Sequence, residues 1–125
     1  MKKIINTESA PKAIGPYSQA VEAKGMLFIS GQIPLDPATG KFAEGGIKEQ
    51  TEQVFKNIEA ILTAAGYSFD DVVKSTCLLA DISDFASMNE VYSRFYTKDF
   101  PARAAYAVKD LPMGALIEIE TIAAK

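Results

Sequence analysis

The chain has 125 residues, 48% hydrophobic and 23% charged, a composition ordinary for a folded globular chain, and residues 1–125 read as a single domain. It has no histidine and one cysteine, Cys77. A Ser-His-Asp triad, a His-ligated metal, a histidine pH switch, an internal disulfide and a paired-cysteine redox site are therefore excluded. With 13 Lys+Arg against 16 Asp+Glu the net charge is −3, which lacks the basic footprint of a nucleic-acid-binding chain.

The start, Met1-Lys2-Lys3-Ile4-Ile5-Asn6, has too few apolar residues behind its lysines for a signal peptide. No apolar run is long enough to cross a bilayer, so no membrane partner is expected. A cytoplasmic location is expected, and a lone thiol fits a reducing compartment.

Pro11, Gly15-Pro16, Gly25, Pro34, Pro37, Gly40 and Gly45-Gly46 punctuate the first third, which suits short strands and turns. Val21–Ala23 and Met26–Ser30 read as strands joined at Lys24-Gly25. From Ile47 the period becomes helical. Ile47, Thr51, Val54, Phe55, Ile58, Ile61, Leu62 and Ala65 form one stripe, and Gly66 supplies the stop.

Val72–Ala80 is apolar and β-branched enough for a buried strand. A second helix follows Ser83, with Phe85, Met88, Val91, Tyr92 and Phe95 inward, and cannot extend past Pro101. Arg103–Lys109 and Leu116–Ala123 alternate like strands. The turn-rich Asp110-Leu111-Pro112-Met113-Gly114 between them predicts a hairpin. The order ββαβαββ predicts an α+β fold, a mixed sheet with both helices on one face.

In the last strand Ile117, Ile119 and Thr121 share one face, and Leu116, Glu118, Glu120 and Ile122 the other. In the strand before it, Arg103, Ala105 and Ala107 oppose Ala104, Tyr106 and Val108. Small and apolar residues on both faces call for a cover on each, and association of sheets between subunits would supply the second.

Arg103, at a strand mouth among small neighbours, has the planar fork that suits bidentate capture of a carboxylate, or is an ordinary solvated or salt-bridged strand end. Glu118, flanked by Ile117 and Ile119, would have the raised pKa useful to a general acid/base if partly buried. Closing the predicted hairpin would bring it near Arg103. Glu120 shares its face, and either acid could instead form a cross-strand ion pair with Arg103. Ser30-Gly31-Gln32 ends a strand where Gly31 would let backbone approach a ligand, or simply exits to a turn. Tyr17 sits on the rigid loop Gly15-Pro16-Tyr17-Ser18. Asn89 is a polar residue of the second helix, beside the buried stripe. Cys77 reads as a packed small hydrophobe.

Five pieces then read together: Ala13-Ile14-Gly15-Pro16-Tyr17-Ser18-Gln19, Ser30-Gly31-Gln32-Ile33-Pro34, Asp84-Phe85-Ala86-Ser87-Met88-Asn89-Glu90-Val91-Tyr92, Pro101-Ala102-Arg103-Ala104-Ala105, and Leu111-Pro112 through Ile117-Glu118-Ile119-Glu120. In this order and at this length the chain closely resembles the reactive intermediate deaminase A family (RidA, also called YjgF).

The resemblance implies a chorismate-mutase-like homotrimer around a central barrel, with active sites in clefts between subunits. It implies hydrolysis of 2-imino acids and their enamine tautomers, released by pyridoxal-phosphate enzymes, to 2-oxo acids and ammonia, with no cofactor or metal in this chain. Carried over by position, Arg103 would clamp the substrate carboxylate and Glu118 would orient or deprotonate the attacking water. Backbone around Ser30 and Gly31 would contact the imine or that water, and Tyr17 and Asn89 would line the pocket. Ala105 departs from the Cys or Thr of many relatives at that substrate-binding position, so no thiol can act there and direct hydration is favoured. Histidine is dispensable for such chemistry, because imines hydrolyse spontaneously and need chiefly orientation and one acid/base. The competing expectation is a non-catalytic trimer that binds small 2-oxo carboxylates through the same arginine and has a regulatory role. RNA cleavage, suggested for some relatives, is opposed by the acidic charge balance.

Overall fold

In a computed structural model, which describes residues 1–125, short strands β1 (Lys3–Ile5), β2 (Ala20–Ala23) and β3 (Met26–Gln32) lead to a small hairpin of β4 (Leu35–Asp36) and β5 (Lys41–Phe42). Helix α1 (Ile47–Ala65), strand β6 (Val72–Leu79), helix α2 (Phe85–Phe95), edge strand β7 (Ala102–Ala107) and strand β8 (Ile117–Ala124) complete the chain. Six strands form one mixed sheet in the order β1-β2-β3-β8-β6-β7, and β4–β5 stand apart.

The predicted hairpin between the last two strands does not form. β8 inserts between β3 and β6, antiparallel to both, and β7 pairs in parallel with β6 at the edge. The two eight-residue apolar strands gain most from central burial, whereas Ala-Arg-Ala-Ala-Tyr-Ala in β7 gains least. Joining β6 to a parallel neighbour needs a crossover, which α2 provides. The turn-forming residues before β8 are used instead in a single 3₁₀ turn, Pro112–Gly114.

Helix α1 starts where the Gly46 N–H donates to Glu49 Oε1 at 2.8 Å. It stops at Gly66, whose φ of 81° a side chain would resist, while Tyr67 N–H donates back to the Leu62 carbonyl. Both helices lie on one sheet face. There Val54, Phe55, Ile58, Ile61 and Leu62 of α1 and Met88 and Val91 of α2 meet Leu27, Cys77, Leu79, Ile117 and Ile119 of the sheet. Phe55 stacks on Phe95 with centroids 4.6 Å apart and meets Phe69, Tyr92 and Tyr96 edge-on. The buried Asn57 amide holds the segment before β4–β5 by donating to the Ile33 and Leu35 carbonyls at 3.2 and 2.9 Å.

The opposite sheet face is bare in the single chain. Cross-strand pairing aligns Ile4, Val21, Phe28 and Ile122 in one apolar row across it. Tyr106, half exposed, continues that face at the far edge. The alternation expected for β7 and β8 holds, since Ile117, Ile119 and Thr121 are buried on the helix side and Glu118 and Glu120 emerge on the bare side.

Candidate active site

The expected site residues fall into two groups on opposite faces of the sheet. Arg103 pairs in register with Ser75, a buried residue of the helix face, so its side chain rises toward α2. Its guanidinium carbon lies 4.7 Å from the Tyr92 ring centroid and 5.4 Å from that of Phe85. One terminal nitrogen, Nη1, donates to Asn89 Oδ1 at 2.6 Å. Phe85, Asn89 and Tyr92 sit at i, i+4 and i+7 of α2, so one helix face supplies both the shelf and the anchor. The spacing of Phe85 and Tyr92 was visible in the sequence, but as a core stripe; their contact with Arg103 was not.

Arg103 joins none of the chain's three ion pairs, which link Lys48 to Glu90, Lys56 to Glu52 and Arg94 to Glu90. A salt-bridged strand end is thereby excluded, as is a cross-strand pair with Glu118 or Glu120. Most of the five guanidinium donors remain available. A groove of about 410 Å³ opens over it, lined by Asn89, Tyr92, Ser93, Phe100, Pro101 and Arg103. Ala105 is not among these residues. It packs half-buried against the core beside Cys77, whose thiol burial pushes up and so keeps protonated.

The second group lies around a bulge in β3. Ile29 faces Thr121 and Gln32 faces Ile119, so Ser30 and Gly31 together oppose Glu120. The Glu118 side chain lies on Gly31. A β-carbon built there would stand 2.8 Å from Cδ of Glu118 and would overlap its Oε2. Only glycine leaves that seat open. Glu118 is half-buried, and desolvation, with a smaller contribution from Glu120, holds its carboxyl above the usual carboxylate range.

Ser30 serves the loop beside it. Its hydroxyl donates to the Ser18 carbonyl at 2.6 Å and its N–H to the Gln19 carbonyl at 3.0 Å. The buried Gln19 amide in turn donates to the carbonyls of Thr7, Ala10 and Pro11. Tyr17 N–H donates to the Gly15 carbonyl at 2.8 Å, a tight turn that presents the half-exposed Tyr17 ring. Tyr17, Gly31 and Gln32 line a cavity of about 40 Å³ together with Ile14 and Met113, two residues that had stood only as parts of a loop and a turn.

Arg103 and Glu118 do not meet within the chain. They stand two strands apart and three register positions out of step, roughly 14 Å between backbones at ordinary strand spacing and rise, and on opposite faces. The proximity expected from a closed hairpin fails with the hairpin.

Residues 7–125 match the family model described as Endoribonuclease L-PSP. A RutC family protein of Pyrococcus horikoshii is 58% identical over 125 residues, covering 100% of this chain and 99% of its own. The 2-iminobutanoate/2-iminopropanoate deaminase of Bos taurus is 53% identical over 123 residues, covering 98% and 90%. Escherichia coli TdcF, solved with bound serine, superposes with a TM-score of 0.94 at 42% identity, covering 98% of each chain. The chain therefore belongs to the RutC/YjgF reactive intermediate deaminase family, which the L-PSP model describes.

Proposed function

We propose that this protein is a cytoplasmic enamine/imine deaminase, which hydrolyses 2-iminobutanoate and 2-iminopropanoate released by pyridoxal-phosphate enzymes to 2-oxo acids and ammonia. The observation that carries the reading is Arg103, oriented by Asn89 and two aromatic rings and paired with no carboxylate of its own chain. A planar two-oxygen anion fits such a fork. The relative named as a deaminase, at 53% identity, supports the substrate class.

Arg103 and Glu118 can address one small substrate only if two copies of the chain each contribute one of them. The apolar row Ile4, Val21, Phe28 and Ile122 on the bare face supports association, and a homotrimer with clefts between subunits fits that need. In such a cleft Arg103 of one protomer holds the substrate carboxylate and Glu118 of its partner faces the C=N carbon. Water adds across the double bond: its oxygen bonds to C2, and one proton passes through the Glu118 carboxylate to the nitrogen. The carbinolamine then expels ammonia, which takes the hydroxyl proton as C2=O forms. A carboxyl held above its usual range accepts that proton readily and returns it at neutral pH. Gly31 borders this acid, and Tyr17 shares a cavity wall with Gly31.

Imine generated from threonine by a dehydratase, with semicarbazide as trap, tests the reading. The native protein should suppress trapping and Arg103→Ala should not. Mixing Arg103→Ala subunits with Glu118→Gln subunits should restore about a quarter of native activity, because random assembly gives about that share of clefts both native groups. Absence of restoration from verified mixed oligomers would refute a shared cleft. The serine bound to TdcF favours a second reading, a non-catalytic module for small carboxylates. That reading requires native protein that binds 2-oxo acids and leaves trapping unchanged.

A further inference from the structure

We infer that Met113 is a specificity-determining residue, forming with Ile14 and Tyr17 an apolar wall that receives the short alkyl side chain of the 2-imino acid; this rests on the deaminase reading above. Met113 occupies the left-handed region at φ 58° and ψ 21° inside the turn Pro112–Gly114. A residue with a side chain adopts that conformation at a cost, and such residues cluster at functional sites. Glycine would make the same turn more easily, so the backbone does not require methionine there. Nor does the core, because the Met113 side chain is 64% exposed.

Two further large apolar side chains stand unburied beside it, Ile14 at 79% and Tyr17 at 52% exposure. All three line the small cavity whose wall includes Gly31, the residue on which the Glu118 carboxylate lies. With the substrate carboxylate on Arg103 and C2 before Glu118, the alkyl group is the substituent left for this wall. About 40 Å³ exceeds the need of one water and leaves room for a methyl or ethyl group.

Burying one more methylene against the wall corresponds to about four-fold in kcat/KM. The native protein should therefore favour 2-iminobutanoate over 2-iminopropanoate by about four-fold and should discriminate against 2-imino-4-methylpentanoate. In Met113→Gly both preferences should shrink toward equality, without a fall in thermal midpoint, since glycine suits the backbone. Met113→Lys, which keeps the length of the side chain and ends it in a charge, should lose the ethyl preference too and decides the matter should the glycine variant misfold. If the native protein turns over these imines and the variants keep the native ratios, Met113 does not set specificity and the inference fails alone. If the native protein accelerates none of the three, the deaminase reading fails and the inference with it.

Discussion

Replacing Gly31 with alanine separates the position of the Glu118 carboxylate from its presence. The new β-carbon would stand 2.8 Å from Cδ and 3.1 Å from Cγ of Glu118, and would overlap Oε2. Ordinary contacts between such atoms begin at about 3.5 Å. The carboxyl carbon must therefore retreat by about 0.7 Å, and the oxygen by more. The displaced group is the free end of a half-exposed side chain, and Gly31 is not among the positive-φ glycines, so the retreat is cheap. The stability cost lies near the low end for overpacking, about 1 kcal/mol, and moves the thermal midpoint by less than about 8 °C. Turnover is far more sensitive, because a misplacement of about 1 Å costs about 10²-fold. Semicarbazide competition and a thermal melt on the same preparation measure both quantities. Combining Gly31→Ala with Glu118→Gln should lose no more activity than Glu118→Gln alone, since both act on one group. A folded Gly31→Ala protein with turnover within a few-fold of native would refute the assignment of Glu118.

Glu118→Gln should lower turnover by about 10²- to 10⁴-fold while 2-oxo acid binding persists. Its effect on stability has a definite sign, because the folded protein binds the Glu118 proton more tightly than the unfolded chain. Stability is therefore lost as pH rises above the ordinary glutamate range, and Glu118→Gln should melt higher than native at pH 7 but not at pH 3, which paired melts would show. For the same reason the acid limb of the kcat/KM profile should lie above that of an exposed glutamate. Arg103→Lys keeps the charge without the fork, and Asn89→Ala leaves the fork unanchored. Each should raise KM by about 10-fold or more with the thermal midpoint unchanged, as steady-state kinetics and melts would establish. Phe55→Ala removes the ring that four other aromatic rings surround and should destabilise by about 3–5 kcal/mol, measured by denaturant unfolding.

What could be read from the sequence was local. The stripe from Ile47 to Ala65 and its stop at Gly66 coincide with α1 to the residue, because helical period and a left-handed cap are both encoded within a few positions. The alternation in β7 and β8 correctly assigned side chains to faces, since strand period does not depend on which neighbour pairs. Pairing does depend on it. Residues 110–114 carry turn chemistry whether they close a hairpin or carry the chain past another strand. The choice was made by the greater apolar content of β6 and β8, a comparison between distant segments. Lys3–Ile5 escaped notice because three residues are too few to show a period. The separation of Arg103 from Glu118 followed from the pairing and was lost with it, whereas Gly31 marked a place for close approach without showing that the Glu118 side chain, brought there by the β3 bulge, would take it.

That separation has a chemical use. An arginine and a glutamate a few ångströms apart in one pocket would pair with each other. The guanidinium would fill the acid's lone pairs, the acid's pKa would fall, and both groups would be spent before substrate arrived. Here the sheet keeps them apart. Arg103 rests on aromatic faces with an uncharged amide as its only hydrogen-bond partner, and the neighbours that act on Glu118 push its proton affinity up instead of down. In a cleft between two copies, the substrate itself would span the gap, with its carboxylate on the arginine and its C=N carbon before the acid. The acid then meets a nearly neutral imine and a water molecule, and the cation is already occupied by the anion it suits. Dividing the site between subunits in this way would allow a fork and a proton carrier to coexist in a chain that has no histidine to reconcile the two roles.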